Sequence, residues 1–106
     1  KVKIAHDNNI VDLIVDPGFG FGKTKDHNFK ILNNLEKFKI LELPVLAGFS
    51  RKSMIYETLK SSSENALNGT SSLNTIALMK GVKILRVHDV KEAKECIILH
   101  EKTISS

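Results

Sequence analysis

Asp16-Pro17-Gly18-Phe19-Gly20-Phe21-Gly22-Lys23 decides how this chain is read. It follows an apolar run, Val11 to Val15, broken once by Asp12. Such a run predicts a strand of a parallel sheet, buried on both faces. An acid follows directly, and Pro17 then stops the strand. Gly18, Gly20 and Gly22 let the backbone turn tightly and approach a ligand. A carboxylate at the C-terminal end of a parallel strand, beside a glycine-rich loop, is where α/β enzymes place their chemistry. A loop-capping acid is the plainer reading of an Asp-Pro-Gly taken alone. Two later strand ends weigh against it.

The second predicted strand, Val45-Leu46-Ala47, ends in Gly48-Phe49-Ser50-Arg51-Lys52-Ser53. The third, Val82 to Val87, ends in Arg86-Val87-His88-Asp89. Helical spacing of Ile31, Leu32, Leu35 and Phe38 predicts a helix over His27 to Ile40, with Asp26 as N-cap. Short and long helices follow over Ser53 to Leu59 and Glu64 to Met79 or Lys80. Ser63 is the expected cap of the longer one and Gly81 its stop. Gly69 inside it is expected to mark a close helix–sheet contact. The last helix, Val90 to Thr103, has Asp89 as N-cap and Val90, Ala93, Ile97 and Ile104 as its inner face. Residues Lys1 to Asn9 read as the end of a helix. With no initiator Met, a fragment or processed chain is expected.

The strand starts at Val11, Val45 and Val82 lie 34 and 37 residues apart. Eight units of that size give roughly the 250 residues of a (β/α)₈ barrel. Three units cannot close one, and would leave strand edges exposed. A small open α/β sheet standing alone is the lesser alternative.

Composition narrows the function. The chain has 106 residues, 42% hydrophobic and 26% charged, and these proportions suit an ordinary soluble domain. The net charge of +4 comes from a diffuse lysine excess, with no basic cluster interleaved with aromatics, so no nucleic-acid partner is expected. There is no signal peptide and no long apolar run, so a cytoplasmic protein with no membrane partner is expected. Cys96 is the single cysteine, which excludes an intrachain disulfide and a cysteine-based metal site. It reads as a small core residue. His6, His27 and His100 read as surface residues.

In a barrel the three strand ends face one way. Asp16 can accept two bonds from an amino-nitrogen heterocycle. Lys52 can donate to a ring nitrogen or carbonyl. Arg86 and His88 alternate with Val87 and share one side of the strand. Arginine suits a bidentate grip on phosphate, with the histidine adding a bond. A phosphorylated heterocycle is the substrate class this set implies. Gly22-Lys23-Thr24 suggests a nucleotide P-loop, but that motif needs glycine where Pro17 stands. The dinucleotide pattern G-x-G-x-x-G fails too, since Gly22 comes one residue early.

Taken together, Asp16 to Lys23, Gly48 to Ser53 and Arg86 to Val90 resemble three signatures of the dihydropteroate synthase family, in its order and spacing. Gly69-Thr70 matches a further segment. The resemblance implies the C-terminal three βα units of a pterin-binding (β/α)₈ TIM barrel, residues 1–106 forming part of one domain without its N-terminal strands. It implies condensation of 6-hydroxymethyl-7,8-dihydropterin pyrophosphate with p-aminobenzoate, giving 7,8-dihydropteroate and pyrophosphate in folate biosynthesis. The family is a sulfonamide target. By resemblance Asp16 and Lys52 bind the pterin, Phe21 and Ser50 the p-aminobenzoate, and Arg86 and His88 the pyrophosphate. Lys52, Arg86 and His88 are the implied catalytic residues. Mg²⁺ is the implied cofactor, with its ligand expected outside this chain, and a homodimer packed through C-terminal helices is the implied assembly. Arg51 reads as a structural salt-bridge partner, and Lys23 as either a motif residue or a solvated loop lysine. The alternatives are a pterin-binding methyltransferase domain and a non-catalytic half-barrel. The Ser-Arg-Lys-Ser segment beside Arg-Val-His-Asp favours the synthase. On this reading the isolated chain is expected to be inactive.

Overall fold

The computed structural model describes residues 3–5, 25–41, 45–49 and 52–106. The elements run β1 (Lys3–Ala5), α1 (Lys25–Asn33), a 3₁₀ helix (Leu35–Leu41), β2 (Leu46–Ala47) and α2 (Ser53–Thr58). A 3₁₀ turn (Ser63–Asn65), α3 (Leu67–Met79), β3 (Ile84–Arg86) and α4 (Val90–Ile104) complete them. Among the described residues the strands form one parallel sheet in the order β1-β3-β2.

Alternation along the strands sorts side chains to two faces. Val45, Ala47 and Phe49, with Leu85 and Val87, enter the main apolar cluster with Leu32, Leu35, Met54, Leu73, Ala77, Ala93 and Ile97 from the helices. Leu46 and Ile84 are also buried but stand outside that cluster. They are partners in the β2–β3 register. The helices therefore pack on one face, and Leu46 and Ile84 occupy the other. Strands buried on both faces are expected of a parallel sheet crossed by helices.

Helix α3 buries Gly69, Leu73 and Ala77 on one row and Thr70, Asn74 and Leu78 on the next. Each row repeats every four residues, the spacing of a helix ridge. Small residues let α3 approach its neighbours closely. Gly81, at φ 96°, ends the segment in a conformation that disfavours a side chain. At that end Lys80 Nζ donates to Asn33 O at 3.0 Å and pairs with Glu36 Oε2 at 3.1 Å, tying α3 to the α1 end.

Several expectations are corrected. Residues 3–5 form a strand where a helix end was expected; the alternating Lys1-Val2-Lys3-Ile4 is a period-two pattern, and the second edge of β3 gives it a ladder. The first helix starts at Lys25, so Asp26 lies in its first turn. It ends at Asn33 because Asn34 takes the helix carbonyls: its Nδ2 donates to Lys30 O at 2.7 Å, and its N–H lies 3.2 and 3.1 Å from Lys30 O and Ile31 O. The chain then tightens into the 3₁₀ helix. Ser63 opens a 3₁₀ turn and α3 begins at Leu67. Gly69 meets α2, at Ile55 and Leu59, rather than the sheet. Ile104 stays 68% exposed, since the last turn of α4 extends past the core. His100 is half-buried, with its Nδ1 shielded from solvent and without a hydrogen-bond partner. Cys96 is partly buried against the core, its thiol 3.6 Å from Ser71 O. The strand expected over Val11 to Val15 lies outside the described residues.

Candidate active site

Strands β2 and β3 are parallel, so their C-terminal ends open on the same side. In the alternation that sends Ala47 and Phe49 to the helices, Gly48 follows Leu46 onto the opposite face. Arg86 follows Ile84 onto that face. The alternation continues past β3: Arg86 is half-buried, Val87 is buried in the core cluster and His88 is exposed. Burial alternates through Arg86, Val87 and His88, in keeping with a period-two pattern.

The two strand ends touch at that face. A Cβ built on Gly48 would stand 3.2 Å from Arg86 Nε, and 3.4 Å from both its Cβ and Nη2. The guanidinium thus lies against the bare backbone of β2's end. A planar group held this way presents donors suited to two parallel bonds with phosphate oxygens.

Lys52 is held by a turn that begins at the same strand end. The Phe49 side chain is fully buried and anchors the turn. The Lys52 N–H donates to Phe49 O at 3.0 Å. Lys52 O in turn accepts from Ile55 N at 2.9 Å, opening α2. The lysine side chain is half-buried. In the described part of the site Gly48 and Arg86 meet at two adjacent strand ends, with Lys52 four residues after Gly48 and His88 two residues after Arg86 in sequence.

Asp16, Phe21 and Ser50 lie outside the described residues, as do Arg51, Lys23 and His6. His27 is exposed, as expected. Asp89 holds the N-cap position of α4 without a side-chain capping bond. Gly48 is a residue of the site whose role the sequence motifs alone do not reveal. Its signal was a glycine directly after a buried strand and directly opposite a strand ending in arginine. Among the described residues, no group of three or more His, Cys, Asp or Glu side chains could hold a metal ion. Among them too, no helix is long and apolar enough to cross a membrane.

Residues 4–88 match the family described as pterin binding enzyme. The chain belongs to that family. It is 46% identical over 94 residues to the dihydropteroate synthase of Escherichia coli strain K12, a match covering 89% of this chain and 33% of that protein. The dihydropteroate synthase of Clostridium beijerinckii is 45% identical over 94 residues, covering 86% of this chain and 35% of its own length. Among solved structures, 7,8-dihydropteroate synthase from Vibrio fischeri superposes with a TM-score of 0.84 at 45% identity, over 88% of this chain and 34% of that one. The chain therefore spans about a third of the length of the curated relatives it matches. Its fold is that of the corresponding part of their barrel, as the three strand–helix units implied.

Proposed function

We propose that this chain contributes to a dihydropteroate synthase, a transferase of folate biosynthesis. Its substrates on this reading are 6-hydroxymethyl-7,8-dihydropterin pyrophosphate and p-aminobenzoate. The observation that carries the proposal is the meeting of Arg86 with Gly48 at two parallel strand ends, close in sequence to Lys52. The names of the curated relatives favour a synthase over a pterin-binding methyltransferase.

In the proposed reaction the bond between the pterin methylene carbon and the pyrophosphate oxygen breaks. Pyrophosphate leaves with the electron pair. The p-aminobenzoate nitrogen bonds to the cationic methylene carbon and loses one proton to solvent. Arg86 and His88 bind the departing anion, and their donors matter most as its charge develops. Asp16 accepts from the pterin ring, and Lys52 donates to it while lining the p-aminobenzoate side. Phe21 and Ser50 contact p-aminobenzoate. Magnesium, which the family resemblance implies, would neutralise leaving charge. The described residues offer no set of ligands for it, so no step above depends on it.

The finer readings are part of the same proposal. Residues 1–106 belong to one pterin-binding barrel domain acting in the cytoplasm, with small-molecule partners and no nucleic acid. The Yersinia pestis dihydropteroate synthase has been solved with a sulfonamide drug. The same class of drug would compete here at the p-aminobenzoate side. Met79, Ile98, Leu99 and Ile104 are large apolar side chains left exposed on α3 and α4. They support a homodimer packed through these helices.

A chimera tests the reading. This chain replaces the 94 matched residues of the Escherichia coli enzyme, and dihydropteroate formation is measured. The chimera is expected to turn over. Lys52→Ala in it is expected to lower kcat by about 10²-fold, the usual effect of removing one positioned donor. Unchanged kcat in that variant would sink the assignment of Lys52.

A further inference from the structure

Gly48 does not owe its place to backbone geometry. Its φ lies outside the positive range that excludes side chains, where Gly81 sits at 96°. Nor is it a helix stop or part of a tight reverse turn; it continues β2. What distinguishes position 48 is its neighbour. The three nearest atoms that a Cβ would meet all belong to Arg86.

Those three atoms differ in freedom. The Arg86 Cβ, at 3.4 Å, is fixed by the β3 ladder, in which Arg86 pairs with Ala5 and its neighbour Leu85 with Ala47. Nε and Nη2, at 3.2 and 3.4 Å, belong to the guanidinium. A methyl group at position 48 would therefore leave the arginine's root where it is and push its head away from β2. The head moves by a few tenths of an ångström, and its donor plane tilts with it.

We propose that Gly48 is a positioning residue: its missing side chain seats the Arg86 guanidinium against the end of β2 and so sets the direction of its donors. This rests on the reading of Arg86 as an anion-binding residue. Bidentate recognition of phosphate depends on the angle of the planar fork as well as on charge. A tilt degrades it while the positive charge stays in place.

Inorganic pyrophosphate is the probe, and its Kd is measured calorimetrically for the unchanged protein, Gly48→Ala, Arg86→Ala and the double variant. Gly48→Ala is expected to weaken binding about fivefold to tenfold, well short of the ~10²-fold that a 1 Å misplacement brings. In the Arg86→Ala background the Gly48→Ala step is expected to change Kd by less than about twofold, since coupled residues are non-additive. The Arg86 Nε–H resonance is expected to shift in Gly48→Ala while the Leu85 and Val87 amides stay in place. An equal loss in both backgrounds, or no loss in either, overturns the role of Gly48. A failure of the unchanged protein to bind, or of Arg86→Ala to weaken binding, overturns the anion reading itself. Should Gly48→Ala not fold, the double variant, in which the clash is gone, is expected to fold; its failure also overturns the proposal.

Discussion

Gly69→Ala asks whether α3 and α2 are packed to contact. The glycine lies in α3, and a Cβ there would stand far inside van der Waals contact of Ile55 Cγ2, in α2, and 3.2 Å from Leu59 Cδ1. Two effects of opposite sign compete. An alanine in a helix interior is better than glycine by about 0.5–1 kcal/mol, because the unfolded chain loses less freedom. Against this, Ile55 is buried and branched at Cβ, so its methyl cannot turn aside. The helices must part by about 1 Å, and overpacking of this kind costs about 1–3 kcal/mol. The steric term is larger, and a net loss of about 1–2 kcal/mol is expected. The same change in an Ile55→Ala background should reverse sign. There the Cγ2 is gone, the Ile55 Cβ stands at an ordinary 3.7 Å, and Leu59 is 56% exposed and free to rotate. Gly69→Ala is then expected to stabilise by about 0.5–1 kcal/mol. Urea unfolding followed by circular dichroism reads all four proteins. Stabilisation by Gly69→Ala in the unchanged background would refute the packing argument, and so would equal destabilisation in both.

Other expectations are narrower. Gly81→Ala should lower stability by about 1–2 kcal/mol in the same urea assay, because the positive φ at this helix stop penalises a Cβ. A neutral effect would mean that this turn is not held as described. Leu99→Glu, at a position 68% exposed on α4 beside Met79 and Ile104, should convert a dimer to monomer in sedimentation velocity while leaving the circular dichroism spectrum unchanged. A dimer that survives the charge would move the interface elsewhere.

Much of this fold was legible in the residues because strand and helix patterns agreed with turn chemistry. Val45 to Ala47 and Val82 to Val87 are short apolar runs followed by polar residues, and the structure pairs them as parallel neighbours. The stop at Gly81 and the start of α4 after Asp89 also fall where expected. Two things were hidden. Lys3–Ala5 is short, and its alternation competes with helical readings until the free edge of β3 is seen. Gly69 looked like a helix–sheet contact because sequence cannot say which neighbour a glycine admits. At the site, the alternating burial of Arg86, Val87 and His88 follows from a period-two pattern alone. The seat that Gly48 makes for Arg86 does not, because it depends on which residue stands across the ladder.

The most direct measurement of the central claim is calorimetric titration with a pterin pyrophosphate analogue and Mg²⁺, comparing the unchanged protein with Asp16→Asn. A hydrogen bond to a charged group contributes about 1.5–3 kcal/mol. Loss of the Asp16 carboxylate is therefore expected to weaken binding about tenfold to hundredfold, since each 1.4 kcal/mol is a factor of ten. Tight binding that is indifferent to Asp16→Asn would contradict a pterin site built on this chain's strand ends.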